Sequence, residues 1–181
     1  MLCDSLILIG SAILNEKNTE RLDKIGKSMD QTPLYDALHN LFPNLSSYDK
    51  IIDLFPILLG TIVLYLLCVQ HPSLDLKSLI RNIWIVVLLR MVMCSVTIFP
   101  SPICKIKRAE AIGGCHDCMF SGHTSITLLL SYCIYQCFPH NVCKYSLLVY
   151  SIVSSIVIIA SRNHYTVDVI VAWLVVYSLL K

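Results

Sequence analysis

The chain has 181 residues, 56% of them hydrophobic and 14% charged, with a mean hydropathy of +0.69. A soluble domain carries roughly 25% charged residues, so this shortfall and the long apolar runs exclude an ordinary soluble domain and predict a multi-pass membrane protein. A net charge of +2 with no basic stripe gives no footing for nucleic acid, and nine cysteines, an odd number, exclude a fully paired intramolecular framework.

Residues 1–14 hold the first apolar stretch, Leu6-Ile7-Leu8-Ile9 followed by Gly10-Ser11-Ala12-Ile13-Leu14. Runs of this length suit signal-peptide cores, but only Asp4 precedes it and the basic flank of a signal is missing. It reads as a shortened first membrane helix, with a cleaved signal as the alternative. Residues 15–50 are a polar loop carrying much of the chain's charge. Within it Leu34, Leu38, Leu41, Phe42 and Leu45 recur at helical spacing behind Pro33, a residue suited to a helix start. That pattern predicts a short helix at the membrane surface, cut off by Pro43; an amphipathic loop packed on the helices fits equally.

Five further spans follow: Ile51–Gln70, Asn82–Phe99, Ser121–Phe138, Tyr145–Ala160 and His164–Leu180. Backbone groups in lipid must be satisfied within each segment, so these are helices. The expected fold is all-α, with six transmembrane helices of which the first is short. The fifth span returns the chain between the fourth and sixth, so these two run parallel and their N-terminal ends share one membrane face. No internal repeat or low-complexity tract is visible.

Two polar clusters sit at those shared ends. Gly113 to Thr124 contains Asp117, Ser121 and His123; Arg162 to Asp168 contains His164, which follows His123 by 41 residues. Ionisable groups at a membrane edge are costly and are functional candidates by default. His164 and Asp168 are four apart at a helix start, on one face, so the carboxylate can orient the imidazole and stabilise its cation. Such a histidine suits a nucleophile or base; a capped, solvated helix end is the bland alternative. Ser121 is a natural N-cap, Gly122 allows close backbone approach, and the free N–H groups with the positive dipole end suit a phosphate. Taken alone, this segment could equally be a simple capped helix start.

Arg90 lies in the middle of an apolar run and needs an anionic partner: a phosphate, Asp53 or Asp168, or else a structural ion pair. Cys115-x-x-Cys118 could suggest zinc, but no second pair at finger spacing accompanies it. Two of Cys104, Cys115 and Cys118 could instead form a disulfide in an oxidising compartment.

The motifs then become specific. Cys115-His116-Asp117 with Ser121-Gly122-His123-Thr124 resembles the third motif of the sphingomyelin synthase family, and His164-Tyr165-Thr166-Val167-Asp168 resembles the fourth. Arg90, Thr97, Pro100 and Pro102 resemble the second, and Pro33-Leu34-Tyr35-Asp36 the first. Ala160 to Thr166 is also similar to the inositolphosphoryl-ceramide synthases; both groups belong to the lipid phosphate phosphatase superfamily. The resemblance implies a catalytic triad of His123, His164 and Asp168. In it, His164 attacks the phosphorus of a glycerophospholipid and His123 serves the departing diacylglycerol oxygen and the incoming ceramide hydroxyl. Arg90, Asp117, Ser121, Gly122, Arg162 and Tyr165 are the expected substrate- and phosphate-binding residues. Neither metal nor other cofactor is expected; the partners are the lipid substrates and the membrane.

His116 stands where the third motif usually has glycine, and Arg162 precedes His164 by two residues where the phosphatase branch has an arginine six residues before its histidine. Lys181 closes the chain after the last helix, so residues 1–181 are expected to form one membrane-embedded phosphotransferase domain without the family's cytosolic tail. The family faces its site to the lumen or exterior, in Golgi or plasma membrane. The basic residues flanking the catalytic side, Lys17, Arg21, Lys24 and Lys27 among them, would put that side in the cytosol instead.

Overall fold

The computed structural model describes residues 2–29, 32–103 and 115–181. These form seven α-helices: α1 (Leu2–Ser28), α2 (Ala37–Leu41), α3 (Ile51–Cys68), α4 (Leu76–Val96), α5 (Gly122–Cys137), α6 (Asn141–Ala160) and α7 (Thr166–Leu179). A 3-10 turn at Ser46–Tyr48 precedes α3. Among the described residues no strand forms; a single bridge joins Phe99 to Asp117.

Helix α5 is the hub, packed against α3, α4, α6 and α7. Its sequence explains why. Thr124, Ser125, Thr127 and Ser131 are buried, and such small polar side chains let neighbouring helices approach closely while bonding within or across them. Ser131 and Ser151 hydroxyls pair at 3.1 Å across α5 and α6, and the Trp173 indole of α7 donates to Ser155 of α6 at 2.9 Å. The apolar core joins Leu59 and Val63 of α3, Val86 of α4, Leu129 and Ile134 of α5, and Val176 of α7 around Phe120. Phe120 is wholly buried immediately before the α5 cap, so it seats the loop that delivers His123.

Three helices, α3, α4 and α6, are long and apolar enough to cross a membrane, and α7 is a shorter apolar helix. Leu54, Ile57, Leu58 and Leu64 of α3 and Val149, Ile152 and Val153 of α6 lie exposed on the outside, as lipid-facing side chains do when helices must satisfy their own backbone. This is an all-helical membrane architecture, although the count of long apolar helices among the described residues falls short of six. The shortfall at α5 follows from its central position: a helix covered on several sides needs no apolar exterior.

The N-terminal region differs from expectation. Residues 2–28 form one helix of 27 residues, not a short span ending at Leu14 followed by a loop. The helix continues through its charged half because it lies along α4: Leu22 is 1% exposed, Asn18 donates to the Met91 carbonyl at 3.3 Å, and Asn15 meets Arg90 at 2.9 Å. Near its end Gly26 faces the His116 ring so closely that a Cβ there would overlap it. The expected surface helix shrinks to the five residues of α2, begun by Asp36, whose carboxylate accepts from Leu38 and His39 backbone N–H, rather than by Pro33. Helix α4 begins at Leu76, six residues before the expected Asn82, because Asp75 caps Ser78 N–H at 2.9 Å.

Candidate active site

The head of α7 builds the first half of the site. Asp168 is the third residue of the helix, where a carboxylate can reach back to an unpaired N–H. Its Oδ2 accepts from Tyr165 N at 3.0 Å and from His164 Nδ1 at 3.1 Å. Asp168 is 0% exposed and His164 8%. The second carboxylate oxygen, Oδ1, is buried and meets no donor.

The head of α5 lies alongside. Ser121 N donates to the Asp168 carbonyl at 3.3 Å, tying the two helix starts together. The Ser121 hydroxyl accepts from Thr124 N at 3.3 Å and from the Thr124 hydroxyl at 2.9 Å, which makes it the cap. His123 does not turn to the buried pair for its support. Its Nε2 lies 2.8 Å from Asp53 Oδ1 of α3, with the two side chains 30% and 53% exposed.

Arg90 points into the bundle and finds its carboxylate on Asp117, at 2.5 Å, rather than on Asp53 or Asp168. Asn15 holds its other terminal nitrogen at 2.9 Å. Its Nε runs beside the α5 head, 3.8 Å from where a Gly122 Cβ would stand, so glycine there leaves the guanidinium room. Asp117 is fixed in turn through its backbone, whose carbonyl accepts from Cys94 Sγ at 3.2 Å. The His116 ring pairs with Asp23 of α1 at 3.2 Å, and the same carboxylate oxygen accepts from Cys115 N at 2.7 Å.

The polar groups of Arg162 and Tyr165 are taken up by backbone partners. The Arg162 guanidinium donates to the carbonyls of His39 and Phe42, the latter at 3.1 Å, and of Ile159 at 3.4 Å. Its backbone takes a left-handed φ of 60°. The Tyr165 hydroxyl donates to Pro100 O and accepts from Leu34 N, each at 2.9 Å, inside a 3% exposed pocket; burial raises its pKa above the ordinary tyrosine value. Both residues are therefore braces for the segment around His164, a use their motif position did not suggest. The braced loop contributes Asp36, which accepts from Thr166 N at 2.6 Å and from its hydroxyl at 2.7 Å. His39 Nε2 sits 3.1 Å from the His164 carbonyl. Burial works to raise the Asp36 pKa, but the Thr166 bonds and the neighbouring His39 outweigh it and hold the carboxyl below 3.8.

An apolar groove of about 350 Å³ opens beside this brace, lined by Leu34, Tyr35, Leu38, Tyr165, Val167 and Ile170. The Cys-x-x-Cys pair does not act as a pair: Cys115 is disulfide-bonded, whereas Cys118 is a free, buried thiol. Cys118 instead stands with His164 and Asp168, one ligating atom of each lying within 4.8 Å of the others. Asp53 as the His123 partner, and Asp36 and His39 as the brace, were not legible as such from spacing, because each acts across more than 60 residues of chain.

Residues 114–180 match the C-terminal family of the PAP2 superfamily. Phosphatidylinositol:ceramide inositolphosphotransferase 3 of Arabidopsis thaliana is 42% identical over 62 residues, covering 34% of this chain and 22% of that protein. Phosphatidylinositol:ceramide inositolphosphotransferase 2 of the same plant is 42% identical over 72 residues, or 38% and 24%. The enzyme of that name from Oryza sativa subsp. indica is 40% identical over 60 residues, or 33% and 18%. The chain thus matches about a fifth to a quarter of the length of these curated relatives. Both histidine-bearing helix heads lie inside the matched segment, which supports the resemblance to the sphingomyelin synthase and inositolphosphoryl-ceramide synthase family of the lipid phosphate phosphatase superfamily.

Proposed function

We propose that the chain is a ceramide phosphotransferase that moves a phosphorylated head group from a glycerophospholipid to ceramide through a phosphohistidine. The observation that carries this reading is the buried His164–Asp168 pair, 3.1 Å apart, opening beside the helix head that bears His123. Asp168 holds the Nδ1 proton and leaves the Nε2 lone pair for phosphorus. As the Nε2–P bond forms, the P–O bond to diacylglycerol breaks and His123 gives that oxygen a proton. His123 then takes the proton of the ceramide hydroxyl, whose oxygen displaces Nε2 from phosphorus. Asp53 steadies His123 through both steps. The free N–H groups at the α5 head and the Arg90 guanidinium, aimed by Asp117, receive the phosphoryl oxygens. Ser121 and Gly122 shape that head, while Arg162 and Tyr165 hold the wall behind His164.

The names of the curated relatives make phosphatidylinositol the first donor to test, ahead of the choline donor of a sphingomyelin synthase. The six passes of a single domain are α1 and α3 to α7. The site faces the lumen or exterior, in Golgi or plasma membrane: the disulfide at Cys115 lies on the catalytic side, and disulfides persist in oxidising compartments, which we weigh above the charge bias of the loops.

Membranes carrying the chain, given labelled ceramide with phosphatidylinositol, phosphatidylcholine or phosphatidylethanolamine, test the reading. A labelled inositolphosphoryl-ceramide that disappears in His164→Ala supports it. Free phosphate release from a lipid phosphomonoester, with no ceramide product, would replace transfer by hydrolysis.

A further inference from the structure

We propose that Cys118, His164 and Asp168 form a binding site for a thiophilic divalent cation of the zinc type, and that filling this site switches the transferase off. The switching rests on the reading of His164 as nucleophile; the binding does not. One thiol, one imidazole and one carboxylate converge here, each at least nine-tenths buried, with their ligating atoms within 4.8 Å of one another. A tetrahedral zinc with ligands at about 2.0–2.3 Å keeps them roughly 3.3–3.8 Å apart, so side-chain rotations of about 1 Å close the set. A sulfur, nitrogen and oxygen donor set selects zinc-like ions over magnesium or calcium.

An independent observation points to the same place. Asp168 Oδ1 is completely buried and has no donor. A cation can take that oxygen without disturbing the Tyr165 N–H bond to Oδ2. One thiolate and one carboxylate neutralise a doubly charged ion, so the filled site carries no net charge into the protein interior. Binding releases the Cys118 thiol proton to water.

The consequence for catalysis is tautomeric. His164 presents Nδ1 toward Asp168, and an imidazole that ligates through Nδ1 carries its proton on Nε2. The lone pair meant for phosphorus is then gone. Cys118 itself takes no part in transfer, so the cation can be separated from the chemistry by changing this one residue.

The test uses the purified full chain in detergent with cobalt(II) as a spectroscopic stand-in and zinc as competitor. The parent should develop a near-ultraviolet thiolate-to-cobalt band that zinc abolishes, and Cys118→Ser should lack it. The band should survive in Cys133→Ser with Cys137→Ser, which removes two buried thiols near the other end of α5. Turnover of Cys118→Ser should match the parent, while its half-inhibiting zinc concentration rises at least about 10-fold, as loss of a ligand demands. A band that persists in Cys118→Ser, or zinc sensitivity equal to the parent's, overturns the site. If Cys118→Ser does not fold, Cys118→Ala carries the same readout. The two readings fail separately: a band without ceramide transfer leaves the site standing and removes the transferase, and transfer without a band removes only the site.

Discussion

Two histidine–aspartate pairs stand at neighbouring helix heads and are built in opposite ways. His164 and Asp168 come from one motif, four residues apart, and are almost wholly enclosed. His123 and Asp53 are 70 residues apart in sequence, on α5 and α3, and both are open to solvent. In the enclosed pair no water can replace the carboxylate, so orientation and charge depend on a single contact. In the open pair water can take over much of what Asp53 does, and ions screen the rest. The contrast suits a nucleophile that must keep one tautomer and a proton carrier that must exchange its proton with two different oxygens.

The largest effect should come from His164→Ala, which is expected to remove ceramide transfer by on the order of 10⁴-fold or more and to abolish phosphoenzyme labelling with an activated donor. Label persisting in this variant but vanishing in His123→Ala would exchange the roles of the two histidines. Next comes Asp168→Asn. It keeps an oxygen for Tyr165 N–H but favours the wrong imidazole tautomer, and should cost roughly 10²–10⁴-fold in turnover with little change in lipid binding. Asp53→Asn should cost only about 10-fold, within the span of one screened contact, and the gap to the parent should narrow as salt is raised. Equal losses in Asp168→Asn and Asp53→Asn would erase the distinction between enclosed and open pairs.

The smallest effect concerns the brace. Asp36→Asn should lower stability by about 1 kcal/mol, the usual worth of a cap and its hydrogen bonds, while leaving the chemistry in place. Because the folded pKa of Asp36 lies below 3.8, its contribution is present above that value and is lost as pH falls through the lower folded pKa. The difference between parent and variant in denaturation midpoint should therefore hold from neutral pH down to about pH 4 and vanish below it. A difference that grows on acidification would mean the carboxyl is not held charged by Thr166.

The enclosed pair was legible in the sequence because its partners share one helical turn, where spacing alone brings them together. The all-helical membrane fold was legible for the same reason, since apolar runs are local. The open pair was not: Asp53 reads as an acidic residue in the first turn of α3, and only the packing of α3 on α5 gives it a histidine. Arg90 shows an intermediate case, its need for an anion evident from its apolar surroundings and its choice of Asp117 hidden in the return of the loop. For Arg162 and Tyr165 motif membership suggests contact with substrate; their bracing bonds to the backbone of His39, Phe42 and Leu34, 120 or more residues earlier, were not legible. The extent of α1 was obscured because its helix is sustained beyond Leu14 by contact with α4 rather than by an apolar pattern of its own.

The near-overlap of Gly26 with the His116 ring makes two distant positions into a single heritable character. The His116 imidazole fills the very space that any side chain at Gly26 would need. The two positions are sterically coupled: Gly26→Ala should be tolerated only beside His116→Gly, which vacates the space that a side chain at 26 needs. The joint between α1 and the catalytic loop thus couples two positions 90 residues apart, so the effect of a substitution at one depends on the side chain at the other.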